Sequence, residues 1–112
     1  ERYRMNDIKK FACHTLYWNI DSCQGQSVVS VNDRGEVISF QLLDEEIRHT
    51  EWIGGVIILS PMIELSMVRD FKTLLQDAYR EEKVSPLYAW HVSHFDFTKE
   101  DINPQSILRK LH

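Results

Sequence analysis

Glu51-Trp52-Ile53-Gly54-Gly55-Val56-Ile57-Ile58-Leu59-Ser60-Pro61 is the stretch around which the rest of the chain arranges itself. It holds the longest apolar run, Val56 to Leu59, and reads as one strand from Glu51 to Ser60 with a glycine pair inside it. Glycines in a strand pattern mark a bulge or a sharp bend, because they accept backbone angles that other residues resist.

Working back toward the amino end, Asn32-Asp33-Arg34-Gly35 separates two alternating runs, Ser27 to Val31 and Glu36 to Leu42. This is a hairpin, since Asn and Asp bond locally to a turn and Gly takes the positive φ that a short hairpin loop needs. Leu43 to Thr50 is polar enough for a loop or one short helical turn. Asn19 to Gln26 reads as a loop, and Lys10 to Trp18 as a strand with apolar residues on both faces: Phe11, Cys13, Thr15 and Tyr17 against Ala12, His14, Leu16 and Trp18. A strand apolar on both faces suits a position between two layers. Residues 1–9 form a frayed lead-in.

Beyond Pro61 the period changes. Met67, Val68, Phe71, Leu74, Leu75 and Ala78 recur at three and four residues, opposite Asp70, Lys72, Gln76, Asp77 and Arg80, which predicts one amphipathic helix over residues 66–83. Ser60-Pro61 is an alternative cap that would start it earlier. Ser85-Pro86 stops the helix, and residues 87–111 return as strands, Leu87 to Phe97 and Ser106 to Leu111, around a polar loop containing Pro104. The expected fold is therefore a single domain over residues 1–112, mainly β in the α+β class. About six strands form a small β-sandwich or twisted sheet, with one main helix over an open side.

Bulk composition narrows the function classes. With 112 residues, 43% of them hydrophobic and 27% charged, the chain has the makings of one packed core. Thirteen basic against seventeen acidic residues, net −4, argue against a protein that neutralises phosphate backbones, so nucleic acid is not an expected partner. The apolar run from Val56 to Leu59 is far short of the ~18–20 residues of a spanning helix, so a membrane is not expected either and a cytoplasmic protein is the simplest reading. Cys13 and Cys23 match no zinc or redox spacing and read as free thiols, the first in a strand and the second in a loop.

Chemistry-bearing residues are sparse in pattern. Of His14, His49, His91, His94 and His112, only His91 and His94 lie close in sequence, on a strand where a spacing of three sends them to opposite faces. Were the strand to end at Ser93, His94 would turn back toward His91 with Asp96 as a third metal ligand. No nucleophile elbow or phosphate loop is present, since Gly54-Gly55 lacks a following glycine or lysine. Glu45-Glu46, Glu81-Glu82 and Glu100-Asp101 read as solvated surface charge. No catalytic residue, no cofactor and no cofactor-binding residue are therefore expected, with His91, His94 and Asp96 as the alternative metal set. Trp18, Trp52 and Trp90 all lie in strands and read as core rather than as a binding surface.

The order of segments from Lys10 to Pro61, with Asn32-Asp33-Arg34-Gly35-Glu36-Val37-Ile38 and Gly55-Val56-Ile57-Ile58-Leu59-Ser60-Pro61, resembles the start of metal-dependent amidohydrolases of the chlorohydrolase and cytosine-deaminase kind. There the same order builds half of a small β-sandwich before the catalytic barrel. Phe95-Asp96-Phe97 and Pro104-Gln105-Ser106-Ile107-Leu108-Arg109 look like the strands that return after it. In that family the Pro-ended strand runs into a His-x-His metal pair; here Met67 and Arg69 fall at those positions, or Ser66 and Val68 with a one-residue slip. What the resemblance implies is the accessory sandwich without its barrel, and no catalytic residue carries over. The expected role is a non-catalytic binding or assembly module, a homo-oligomer, in the first instance a dimer, formed through a sheet edge or exposed face, or a partner of a larger hydrolase. The alternative is a small metal-dependent hydrolase whose site forms at a dimer interface from His91, His94, Asp96 and His14.

Overall fold

The computed structural model describes residues 8–43, 49–82 and 84–112. The expected loop or helical turn after Leu43 and most of the lead-in lie outside the described residues. Within them the chain is mainly β: β1 (Lys9–Cys13), β2 (Thr15–Asn19), β3 (Ser22–Gln24), β4 (Ser27–Val31), β5 (Val37–Leu42), β6 (Thr50–Trp52), β7 (Val56–Ser60), α1 (Phe71–Ala78), β8 (Tyr88–Ser93) and β9 (Ile107–Lys110). The strands form two sheets, in the orders β5-β4-β1-β6 and β3-β2-β7-β8-β9.

Three long ribbons are shared between the sheets, so that runs legible as single strands are divided in two. β1 and β2 are halves of one run bent at His14, and β6 and β7 are halves of another bent at Ile53-Gly54-Gly55. The halves pair in parallel, β1 with β6 and β2 with β7, so both runs turn the same corner side by side. On the far side of β1 and β2 lies a third bent run, β3 and β4, antiparallel to them. Cys23 is thereby in a strand rather than the expected loop, and it is exposed.

At the corner two carbonyls each serve two donors. Gly55 O accepts from His14 N at 3.0 Å and Thr15 N at 3.3 Å, while Ala12 O accepts from Ile53 N at 2.9 Å and Gly54 N at 3.2 Å. Two successive N–H groups on one carbonyl are the mark of an extra residue in a ladder, and an extra residue exchanges the faces of everything after it. Phe11 and Cys13 accordingly point between the sheets before the bend, and Leu16 and Trp18 after it, while Tyr17 faces the helix. The strict alternation expected from Lys10 to Trp18 therefore breaks at His14.

The core has two parts. Phe11, Cys13, Leu16, Val29, Val31, Ile57, Leu59, Ala89 and Leu111 fill the space between the sheets. On the other side of the second sheet, Val56, Ile58, Trp90 and Val92 meet Phe71, Leu74, Leu75 and Ala78 of α1. β7 is covered on both faces, which accounts for the unbroken run Val56-Ile57-Ile58-Leu59. Each large side chain so buried contributes about 1.5–3 kcal/mol.

α1 is shorter than the apolar period suggested, eight residues where residues 66–83 were expected. Its start is fixed by two carboxylates: Asp70 Oδ1 accepts from Thr73 N at 2.8 Å, and Asp101 Oδ1, thirty residues away, accepts from Phe71 N at 2.8 Å. The bond to Thr73 N holds the Asp70 carboxyl below its ordinary range. Leu65 and Val68 pack against the helix cluster without being helical, which explains the over-long apolar pattern. Ser60 does not start the helix but closes its other end, with Oγ donating to Ala78 O at 2.6 Å and accepting from Met62 N at 3.0 Å. The Tyr79 hydroxyl, after the last turn, donates to Leu59 O and pins the helix to β7.

The hairpin is as the sequence reads it. Asn32 Oδ1 accepts from both Arg34 N and Glu36 N at 2.9 Å, and Gly35 lies at φ +82°. The sheets are also tied at their far ends, where Val37 N donates to Leu87 O at 2.7 Å and Glu36 bridges to Tyr88.

Gly55, at φ +61°, has Val92 O 2.3 Å from where a Cβ would stand. Gly55→Ala is therefore expected to lower the unfolding free energy by roughly 2–4 kcal/mol. Gly25→Ala, with nothing within 4 Å of the added methyl, should change it by less than about 0.5 kcal/mol. Urea denaturation of the two variants checks the contrast, and equal losses would contradict the assigned role of the corner.

Candidate functional site

His91 reaches the corner from β8. Its ring is buried, and Nε2 lies 3.1 Å from Gly54 O, to which it donates in the Nε2–H tautomer. His14 approaches the same glycine from the other side, its Cδ2 3.7 Å from where a Gly54 Cβ would stand. Gly54 is thus flanked by two imidazoles, one buried and one exposed.

The three residues of the alternative metal set are engaged separately. β8 does end at Ser93, and His94 turns at φ +53°, but its Nδ1 lies 3.3 Å from Ser93 Oγ and its carbonyl accepts from Asn103 Nδ2 and Ser106 Oγ. Asp96 Oδ1 accepts from Thr98 N and Lys99 N, closing a turn. Among the described residues no three His, Cys, Asp or Glu side chains stand together as a metal site. Asp101, read from sequence as solvated charge, caps α1 and accepts from Ile102 N as well. No sequence signal joins it to Phe71, since the pairing is made by the return of residues 96–101 over the helix end.

Burial pushes the Cys13 thiol up to about 12, so it is an apolar filler rather than a nucleophile. Tyr17 is likewise raised to about 12, chiefly by burial and next by Cys23 beside it.

Over the corner runs a row of rings. His14 meets Trp52 at 4.9 Å and Phe97 at 5.1 Å between centroids; Phe97 meets Phe95 at 5.0 Å, and Phe95 meets Phe71 at 4.8 Å, all edge to face. Trp52 is 49% exposed, a correction to its reading as core, whereas Trp90 is buried against the helix with Nε1 donating to Met62 O. The reason is the three-residue β6, which places Trp52 on the outward side of the first sheet opposite Ala12.

At the opposite edge of the first sheet, a cleft of about 510 Å³ follows β5 from Val37 to Phe40, with residues 85–87 as its wall. Phe40 stacks on Trp18 at 6.1 Å and an interplanar angle of 26°. Ile38, Phe40 and Leu42 are 50%, 39% and 56% exposed.

Comparison with protein-family models, with curated proteins and with solved structures finds no match.

Burial is the largest influence on His91 and lowers its pKa; the Gly54 bond opposes this, and the charge of Arg109 adds a smaller push downward. The unfolded chain protonates this ring as the pH falls through 6.5, while the folded chain resists until its depressed value is reached. The unfolded state binds more protons in that interval, so stability is full above 6.5 and declines as the pH drops below it. Urea midpoints taken between about pH 7.5 and 5 should fall more steeply for the native protein than for His91→Gln. Parallel curves would show that this ring does not titrate with folding.

Proposed function

We propose that the chain is a non-catalytic assembly module and that it works by pairing β5 with β5 of a second copy. The observation that carries this reading is a contrast among the four sheet edges. β3 and β6 have only three residues each, and β9 carries Arg109 and Lys110. β5 has six residues, Val-Ile-Ser-Phe-Gln-Leu, with no charge, proline or glycine. Short strands, cations and prolines keep edges from pairing, and β5 has none of them; its first residue is engaged by Leu87 O, so the pairing is assigned to the stretch from Ile38 to Leu42.

The register supports an outward ladder. Leu43 N donates to Gln26 O across the β4–β5 pair, so the alternation of an antiparallel ladder turns the N–H groups of Phe40 and Leu42 away from β4. Antiparallel pairing across a two-fold axis doubles the four-stranded sheet and brings the exposed side chains of Ile38, Phe40 and Leu42 against their symmetry mates. An uncharged strand meets itself without repulsion, which selects a second copy over a partner of either sign.

The same reading takes the chain as akin to the accessory sandwich of amidohydrolases. What supports it is that β8 returns to pair with β7 after an intervening segment, residues 61–87, where the resemblance places a barrel. The side chains with ligating or acid-base chemistry are held in structural contacts, His91 on Gly54 O, Asp96 in a turn and Asp101 on α1.

Analytical ultracentrifugation should find a dimer in the native protein and a monomer in Phe40→Lys and in Leu42→Pro, whose lost N–H is one that faces away from β4, with unchanged circular dichroism. A native monomer at high concentration, or dimers in both variants, would overturn the assignment. A large hydrolase co-purifying through this edge in place of a second copy would also overturn it.

A further inference from the structure

On the opposite side from β5, the sandwich opens between β6 and β9, where a cleft of about 380 Å³ enters the space between the sheets. Its base is closed by Phe11 and Leu111, which at 6% and 2% exposure belong to the core and leave little surface to a ligand. Its walls are charged. Lys9, two residues before Phe11, and Arg109, two before Leu111, line it together with His112, and Glu51 faces them from β6 in register with Phe11. Lys9 Nζ donates to His112 O at 3.3 Å and so joins the start of β1 to the end of the β9 segment.

Two features make this more than solvated surface charge. Cations outnumber carboxylates here in a chain of net charge −4, and among the described residues neither Arg109 nor Glu51 is held in an ion pair. Lys9 and Lys110 each have one contact, Lys9 to His112 O and Lys110 with its Nζ 5.1 Å above the Tyr88 ring, so Arg109 is the cation left to receive a ligand. Both walls are also fixed by ladders, Arg109 opposite His91 and Glu51 opposite Phe11, so the cleft is framed before any ligand arrives.

We propose that this mouth binds a small carboxylate. The guanidinium of Arg109 presents a planar fork of donors that matches a carboxylate, and Lys9 adds a point charge beside it. Glu51 on the opposite lip sets the selectivity, since it repels a second negative charge and favours a monoanion over a dianionic phosphate ester. Pairing through β5 leaves the site open, because β5 and β6 are opposite edges of the first sheet.

The test is a titration of isotope-labelled protein, followed by amide shifts, with benzoate and with phenyl phosphate as the two probes. Benzoate should give saturable shifts centred on Phe11, Arg109 and Leu111, and phenyl phosphate should bind more weakly. Arg109→Gln should weaken benzoate roughly tenfold. Glu51→Gln should tighten phenyl phosphate about two- to fivefold, an effect opposite in sign to damage of the fold. Shifts that fail to saturate, that centre elsewhere, or that persist unchanged in Arg109→Gln would overturn the site, and a Glu51→Gln variant that binds phenyl phosphate no better would overturn the proposed selectivity.

Discussion

The close approach of Gly55 to Val92 O, with the carbonyls of Ala12 and Gly55 each shared by two donors, is the constraint from which the other contacts follow. It lets two parallel ribbons turn together from one sheet into the other, and a third run, β3 with β4, accompanies them. Because the turn inserts a residue, the inward face changes from odd to even positions, and Phe11, Cys13, Leu16 and Trp18 all meet one core. A side chain at Gly55 would separate β8 from β7 at the point where His91 reaches Gly54 O. The buried imidazole is therefore best understood as a strut that holds the bent ribbon through its contact with Gly54 O.

Much of this architecture is written locally, and the parts that are not share one cause. The bend at Gly54-Gly55, the Asn32 to Gly35 turn and the returning strands after Ser85-Pro86 are carried by residues whose own backbone preferences impose them. The end of the helix pattern is different: Leu65 and Val68 are apolar because they pack on α1, and the start at Phe71 is fixed by Asp70 together with Asp101, which is distant in sequence. The exchange of faces at His14 is equally hidden, since it depends on the partner strand's glycines. His91 could not be read either, because its partner is a main-chain carbonyl and a backbone acceptor leaves no trace in residue type.

Both proposed roles rest on the same geometry. Bending the ribbons over one another leaves two uncovered regions beside the first sheet, an uncharged edge at β5 and a charged mouth beside β6. An edge strand offers main-chain groups and apolar side chains, which suit another strand; a mouth lined by a guanidinium and an ammonium suits a small anion. Neither requires a reacting group, and both are held by ladders that extend to the corner.

If the corner unites the two sheets, they open together. Native-state hydrogen exchange measures this directly, through the amides of Val29 in the first sheet, His14 and Ile53 at the bend, and Ile58 in the second sheet. All four should exchange with one free energy and one dependence on denaturant, equal to those of global unfolding. Exchange at Val29 through a separate, lower-energy opening while Ile58 stays protected would mean that the sheets are independent and that the corner does not hold them as one.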